Sequence, residues 1–416
     1  MQEVQPSACC FGSADILLPK NEDLTKWAVI ACDQFTSQPE YWQKVRALTV
    51  NRVSAAHLIL PESELGGECE DTIDSIHRTM LRYLQTGVFQ VYHDCYIYTE
   101  RTLQDGNVRC GIVGKVDLES YDYSEFSSSA VRATERTVQE RIPPRMAVRR
   151  GAALELPHIL LLCDDEQRIL IEPLHRIRDE LPKLYDFDLM LGGGHVAGWL
   201  VSGEEKRVLD LRLFQYAERQ AQKYPGNTLL FAVGDGNHSL ATAKACYEEW
   251  KASQSDTGES PNIMRFALCE LNNIHDPVQK FTPIHRLVKG CDVQKLLNDL
   301  KKAFAGAQGN EIQWFSGKER GTLILPCESG VLPLAILQNF LDDWLSVNTG
   351  KLDYIHGDET LQNLSRYSDC LGFLLPALEK KQLFPGILSG GVLPRKTFSM
   401  GNAEEKRYYL EARRIL

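Results

Sequence analysis

The chain has 416 residues, of which 43% are hydrophobic and 25% charged, and a formal net charge of -10 at pH 7. The acidic balance argues against non-specific nucleic-acid binding, and no segment approaches the roughly 20 apolar residues that span a bilayer. The 12 cysteines include no CxxC pair, which disfavours zinc clusters and thioredoxin-like chemistry and favours reduced thiols. Because the N-terminus also lacks the pattern of a signal peptide, we expect a cytoplasmic globular protein.

Strand and helix patterns alternate in the first part of the chain. Residues 27–32 predict a strand, and the polar loop after it leads to a helix at Tyr41. Residues 71–87 have helical spacing, and 88–117 alternate as two strands around a turn at 104–107. Glu40 lies in the first strand-to-helix loop and is a candidate general base.

A segment rich in arginine follows a loop of serines and tyrosines at 119–130. It contains the motifs RATERT (132–137) and ERIPPR (140–145). Guanidinium groups bind phosphate through paired hydrogen bonds, so Arg132 and Thr137 are candidate phosphate ligands. Glu135, set among these arginines, is a candidate general base. The alternative is an exposed helix with internal ion pairs, in which Glu135 neutralises an arginine.

Three glycines precede a histidine in the middle of the chain. Residues 158–163 predict a buried strand, and 191–201 place Gly192 to Gly194 before His195 and another strand. Bare backbone suits a close approach to a ligand, so His195 is a candidate anion contact or an ordinary turn histidine. Helical spacing over 206–223 then leads to the most informative stretch.

Residues 229–243, LLFAVGDGNHSLATA, predict a buried strand, a sharp turn and a helix that runs to about Trp250. The start of such a helix attracts anions through its N–H groups and its dipole. Asp235 is a candidate metal ligand or proton acceptor, and His238 a candidate phosphate contact or proton shuttle. The other candidate phosphate ligands here are Gly234, Gly236, Asn237 and Ser239. The alternative is a turn in which Asp235 or Asn237 only caps the helix.

The last part of the chain predicts a smaller α+β unit. A polar loop at 253–261 and a core strand at 265–271 precede it, and strands are predicted at 321–325, near 331–337 and at 408–411. His285 and Arg286 in PIHR are candidate anion ligands or packed core residues. Lys396 and Thr397 offer a charge and a hydroxyl for a phosphate.

Together these elements predict a mixed α/β or α+β fold. We divide it into an N-terminal α/β segment at 1–120, a core with the phosphate-binding loops at 121–290, and a C-terminal α+β unit at 291–416 that closes the site. Walker, HExxH, GxSxG and kinase signatures are absent from the sequence.

Several separated motifs resemble a bacterial family known as domain of unknown function 1015. They are RATERT, ERIPPR, LELPHI, IEPL, LGGGH, GDGNH, PIHR, LGFLLPAL, LPRKTFSMG and KRYYLEAR. The resemblance runs from about Trp27 to the C-terminus. It implies a ParB/sulfiredoxin-like core with a large insertion, in which a loop at a helix start binds nucleotide phosphates.

The loop is also similar to the DGHHR loop of free-serine kinases. Asp235, Gly236 and His238 match that pattern, whereas Asn237 and Ser239 do not. The loop has no cysteine, which disfavours sulfiredoxin chemistry. Arg132, Arg136 or Arg286 would have to replace the arginine that the pattern lacks here.

The resemblance implies a Mg²⁺-assisted phosphotransferase that acts on a small hydroxyl compound, with L-serine or O-phosphoserine as first choice. The donor would be ADP, ATP or pyrophosphate, and Asp235 would hold the metal. Alternatives are a phosphoserine phosphatase or nucleotide hydrolase, and a nucleotide-binding regulatory protein without catalysis. We expect no nucleic-acid or membrane partner. That the protein forms a homodimer is a hypothesis.

Overall fold

The computed structural model describes residues 9–65, 69–253, 263–327 and 331–416. The chain divides into two compact units, each described here by itself. Unit 1 comprises Met1–Ala133, Thr137–Gln279 and Asn402–Leu416, and unit 2 comprises Thr134–Arg136 and Lys280–Gly401. These boundaries differ from the three predicted segments. The predicted loop at 253–261 lies, except for Ser253, outside the described residues.

Unit 1 is built on a large mixed sheet. Numbered in chain order, its strands are β1 (Phe11–Gly12), β2 (Ala14–Pro19), β3 (Val29–Ile30), β4 (Phe89–Thr102), β5 (Val108–Asp117), β6 (Tyr121–Asp122), β7 (Val131–Ala133), β8 (Leu154–Glu155), β9 (Leu160–Cys163), β10 (Lys183–Asp188), β11 (His195–Val201), β12 (Phe231–Asp235), β13 (Phe266–Asn273), β20 (Tyr408–Tyr409) and β21 (Arg413–Arg414). The main sheet has the order β10-β11-β4-β5-β13-β9-β12-β7-β6, with β1 on β5 and β2 on β4. Two small ribbons pair β20 with β3 and β21 with β8.

Helices accompany this sheet, and two apolar clusters form the core of unit 1. The helices are α1 (Leu24–Trp27), α2 (Pro39–Thr49), α3 (Glu70–Gln85), α4 (Ile142–Arg149), α5 (Glu172–Ile177), α6 (Gly203–Lys223) and α7 (Asn237–Ser253). One cluster surrounds the fully buried Trp27, and the other contains Phe231 and Val233 of β12. Burial of the apolar side chains of β12 fixes the strand that leads into the GDGNH turn.

Strand direction brings three distant segments to the same end of neighbouring strands. β12 runs parallel to β7, with Phe231 opposite Val131 and Val233 opposite Ala133. β9 runs antiparallel to β12. The end of β7, the residues after β12 and those before β9 therefore lie at the same end of these strands. The parts of RATERT that belong to unit 1, together with GDGNH and LELPHI, are close to one another for this reason.

Unit 2 is a smaller α+β unit around a second sheet. Its strands are β14 (Phe281–Lys289), β15 (Gly309–Ser316), β16 (Glu319–Pro326), β17 (Lys351–His356), β18 (Cys370–Leu374) and β19 (Phe398–Met400). The order is β16-β15-β18-β14-β17, with β19 on β14. Its helices are α8 (Val293–Ala303), α9 (Pro333–Val347), α10 (Asp358–Leu364) and α11 (Lys380–Gly390).

The mixed α/β class is confirmed, and so are most strongly periodic elements. The predicted strand near 331–337 is wrong, because residues from Pro333 begin α9. Proline is favoured in the first turn of a helix, and Leu334, Leu337 and Leu341 are buried at helical spacing. The predicted strand at 27–32 shrinks to β3, since Trp27 ends α1.

Candidate functional site

The GDGNH turn joins the end of β12 to the start of α7. The pairing of β12 with β9 shifts register between Val233 and Asp235, which places Gly234 at an irregularity. Gly236 has a φ of +79°, and a Cβ there would lie 3.1 Å from the Cα of Ile159. Both the left-handed backbone and the close approach require glycine. Asn237 begins α7, so the positive end of the helix dipole lies at this turn.

Asp235 forms an ion pair with a lysine near the C-terminus. Its Oδ2 lies 3.2 Å from Nζ of Lys406, and both side chains are more than four-fifths buried. Its Oδ1 accepts the N–H of Gly236 at 3.0 Å. Burial raises the pKa of Asp235, but the charges of Lys406 and His158 outweigh burial and hold the pKa below its usual range. Asp235 is therefore an ionised acceptor beside a cation.

His158, just before β9, is buried against the same turn. Only 4% of the residue is exposed. Its Nδ1 lies 2.9 Å from the hydroxyl of Tyr409, and its Nε2 lies 3.5 Å from Oγ of Ser239 and 3.8 Å from Oδ1 of Asp33. Pairing of β20 with β3 positions Tyr409, whose hydroxyl also accepts the N–H of Cys32 at 3.2 Å. The imidazole is thus oriented between a phenol and two side-chain oxygens.

The segment after β7 contacts the same helix start. The N–H of Val138 donates to Nε2 of His238 at 3.2 Å, so this ring nitrogen links residue 138 to the first turn of α7. Thr137 is buried, and its hydroxyl has no hydrogen-bond partner within the described ranges. Thr242 on α7 donates to the carbonyl of His238 at 2.7 Å.

A cavity of about 150 Å³ opens beside these residues. We refer to them together as the GDGNH cluster: Asp235, His238, Ser239, His158, Lys406 and Tyr409. Its polar lining includes His158, Ser239 and Tyr409, together with Arg145 and Arg149 of α4. Most of the remaining lining is apolar and comes from residues 58–65, Met80 and 152–159. Mostly apolar walls with a few convergent polar groups are typical of small-molecule sites.

Unit 2 contains a second group of the predicted residues. The backbone N–H of Thr397 donates to Oε1 of Glu135 at 3.2 Å, and its hydroxyl donates to the carbonyl of Pro394 at 2.6 Å. Lys396 has a φ of +52°, and its Nζ lies 5.2 Å from the ring centre of Tyr354. Glu135 and the Lys396–Thr397 pair are therefore neighbours.

Arg286 binds the backbone of this second group. It is fully buried and donates to the carbonyls of Arg395 and Lys396 at 3.0 and 3.1 Å. Burial lowers the pKa of Arg286 to about 10, against the raising effects of Tyr354 and Glu135. Its guanidinium holds the 395–396 turn.

Three of the other predicted residues have side-chain partners outside the GDGNH turn. Arg132 donates to Ser129, Asn227 and Thr228. His195 lies between Asp186 and Asp188, at 2.6 and 2.8 Å. In unit 2, Nε2 of His285 lies 3.0 Å from Oδ1 of Asp358, and its Nδ1 accepts the N–H of Leu375 at 3.1 Å. Glu40 is exposed in the first turn of α2.

Three residues of the cluster were not among the predicted site residues: His158, Lys406 and Tyr409. Their only sequence signals are their places in the motifs LELPHI and KRYYLEAR. The residues next to them in the sequence do not indicate a polar site, because strand pairing between distant segments brings them to the turn.

The fold and these contacts define a mixed α/β protein whose charged cluster surrounds a strand–turn–helix junction. The chain belongs to the family described as a protein of unknown function, DUF1015, whose model matches residues 14–413. No curated protein matches the sequence significantly. Within the described part of the chain, no helix has the length and apolar character that crossing a bilayer requires.

The chain is also similar to three solved structures. A free serine kinase in complex with AMP is 12% identical with a TM-score of 0.38, covering 72% of this chain and 91% of its own. A conserved hypothetical protein from Pyrococcus furiosus is 14% identical with a TM-score of 0.33, covering 70% and 93%. SbnI from Staphylococcus aureus, with a C-terminal truncation, is 9% identical with a TM-score of 0.36, covering 70% and 82%.

Proposed function

We propose that this protein transfers a phosphoryl group between a nucleotide or pyrophosphate and the hydroxyl of a small molecule. The observation that carries the proposal is the Asp235–Lys406 ion pair, 3.2 Å long, at the start of α7 and beside the buried His158. Phosphoryl transfer depends mainly on positioning and on neutralising charge. A cation, a helix dipole and an ionised carboxylate at one turn supply these two requirements.

Each residue of unit 1 has a distinct role in this proposal. Lys406 and the first turn of α7 bind the phosphate oxygens, while the hydroxyls of Thr137 and Ser239 donate to them. Asp235 orients the acceptor hydroxyl. His158, fixed through Tyr409, takes the proton in addition to the predicted shuttle His238. Glu135, Lys396 and Thr397 of unit 2 stay candidates for base and phosphate ligands.

Asp235 also fits the predicted Mg²⁺. Mg²⁺ prefers hard oxygen ligands and commonly uses one or two carboxylates together with substrate phosphates. Asp235 is ionised, and each of its oxygens keeps a further lone pair beyond its contact with Gly236 or Lys406. When bound, the metal would neutralise phosphate charge. L-serine is the first acceptor to test, because the matching Asp, Gly and His of the loop resemble those of free-serine kinases.

The test is phosphoserine formation by the wild type and by Asp235→Asn, with ADP, ATP and pyrophosphate as separate donors. We expect a loss of at least about 100-fold, because the amide cannot orient the hydroxyl as a carboxylate does. Phosphorus NMR identifies the product. Asp179→Asn is the matched control, since Asp179 is 91% exposed, and its activity should be unchanged.

Other outcomes would contradict the transfer. Equal turnover by Asp235→Asn would remove the GDGNH turn from the chemistry. Release of inorganic phosphate without an acceptor would favour the phosphatase or nucleotide hydrolase. A nucleotide that raises the melting temperature without any turnover would favour the regulatory protein.

A further inference from the structure

A second cluster of chemically reactive side chains lies on a different part of the unit 1 sheet. Glu100 on β4 and Cys110 on β5 are directly opposite each other in the antiparallel pairing, so their side chains project from the same face. Tyr98 precedes Glu100 by two residues and shares that face. His175 reaches the group from α5. None of these residues takes part in the proposed phosphoryl transfer.

Four polar atoms converge within this cluster. Oε1 of Glu100 lies 2.7 Å from Nδ1 of His175. The hydroxyl of Tyr98 lies 2.8 Å from Oε1 of Glu100, 3.2 Å from Sγ of Cys110 and 3.1 Å from Nδ1 of His175. The potential ligand atoms of Glu100, Cys110 and His175 all lie within 4.8 Å of one another.

These separations suit a small tetrahedral ion. Metal–ligand bonds of about 2.0 to 2.3 Å at tetrahedral angles place ligand atoms about 3.3 to 3.7 Å apart. The Glu100–His175 separation of 2.7 Å therefore has to open by about 1 Å or less, and the 4.8 Å limit leaves Cys110 within about 1.5 Å of the required separation. A thiolate, an imidazole and a carboxylate together are borderline-soft ligands that favour zinc over magnesium or calcium.

Carboxylates surround Cys110 and favour a bound cation. Glu100, Asp276 and Glu172 place negative charge around its thiol, and Oδ2 of Asp276 accepts its backbone N–H at 3.4 Å. A thiol binds a metal as the thiolate, so a bound ion would release the thiol proton to solvent. Oε2 of Glu172 is also buried without a hydrogen-bond partner in the described part of the chain.

A thiol distinguishes this cluster from a similar one. Asp164, Glu166 and His275 also lie close together, but the ammonium of Lys223 contacts Asp164 at 2.8 Å and Glu166 at 3.3 Å. At the first cluster, Arg178 lies 3.6 Å from Oε1 of Glu100 and 3.1 Å from both ring nitrogens of His175. A basic side chain therefore competes with a metal at each group. The first cluster differs in containing a thiol, which the group of Asp164, Glu166 and His275 lacks.

We propose that Glu100, Cys110 and His175 bind a divalent transition-metal ion of the zinc type, with the hydroxyl of Tyr98 beside the fourth coordination position. Three protein ligands leave one position for water or a small molecule. The site is independent of the phosphoryl-transfer proposal, since it uses no residue of the GDGNH cluster.

The test is a titration of the full chain with Co²⁺ followed by absorption. We expect one equivalent of Co²⁺ to produce a near-ultraviolet band of thiolate-to-metal charge transfer, and Zn²⁺ to abolish it by displacement. Cys110→Ser should lose the band. Cys327→Ser, which removes an exposed thiol, should retain it.

A second pair of variants covers the case in which Cys110→Ser does not fold. Arg178→Ala removes the competing guanidinium and should lower the Kd for Co²⁺ by about tenfold, whereas the exposed Arg176→Ala should leave it unchanged. Absence of the band in the wild type, its persistence in Cys110→Ser, or an unchanged Kd in Arg178→Ala would overturn the proposal.

Discussion

Replacing Arg407 by methionine lowers the free energy of unfolding by about 3 to 5 kcal/mol, the largest stability effect that we expect from one substitution. Arg407 is buried, and its Nε and Nη2 donate to carboxylate oxygens of Glu270 and Glu411, both at 2.6 Å. Its Nη1 donates to the carbonyl of Pro157 at 2.9 Å. Methionine fills similar volume but leaves two buried carboxylates without their cation.

The loss of stability in Arg407→Met should depend on pH. Burial raises the pKa of Glu270, but the charges of Arg407 and Arg109 outweigh burial and hold it below its usual range. In the wild type, this carboxylate contributes stability at neutral pH that is lost as the pH falls through its folded-state pKa. Without Arg407 the pKa rises, so Glu270 is protonated at higher pH and the difference between variant and wild type shrinks toward pH 5.

Urea unfolding at pH 7 and pH 5 measures both effects. Arg414→Met is the control, because Arg414 is exposed on β21, and it should change stability by less than about 0.5 kcal/mol. A loss below about 1 kcal/mol for Arg407→Met, or a loss that grows toward pH 5, would show that the two carboxylates are stabilised without this arginine.

Replacing Lys406 by methionine should lower kcat/KM for phosphoryl transfer by about 100- to 1000-fold, since one charged partner of the phosphate is removed. The same change removes the main charge that lowers the pKa of Asp235. If Asp235 acts as the ionised carboxylate, activity falls as the pH drops through this pKa. The acid limb of the pH–rate profile should then move to higher pH.

The pH profile separates this role from a structural one. A variant that only loosens the turn would lower activity at every pH without moving the acid limb. Lys406→Arg keeps the charge and should retain the wild-type limb, and Lys20→Met, at an exposed lysine, should match the wild type throughout. An unmoved limb in Lys406→Met would contradict the coupling between Asp235 and Lys406.

The sequence also predicted reduced thiols and disfavoured zinc clusters, on the ground that CxxC is absent. Within the described residues all cysteines are free. The cluster of Glu100, Cys110 and His175 draws single residues from β4, β5 and α5. Spacing along the chain cannot reveal it, because the antiparallel pairing of Glu100 with Cys110 is a property of the sheet.

Local pattern was sufficient for much of the fold. The apolar run before GDGNH, its glycines and the residues that follow specified a strand, a left-handed turn and a helix, since backbone sterics and burial act over neighbouring residues. The periodicity of 71–87 and of 88–117 predicted α3, β4 and β5 for the same reason. Near 331–337 an apolar run suited strand and helix alike, and packing in unit 2 selected the helix.

By itself, the sequence determined the mixed α/β class, the family and the strand–turn–helix that contains Asp235. The tertiary structure decided which side chains face that residue. Lys406 and Tyr409 approach it because β20 pairs with β3, and His158 because β9 runs antiparallel to β12. Charges interact through space rather than along the chain, so the electrostatics of the site exist only once these strands have paired.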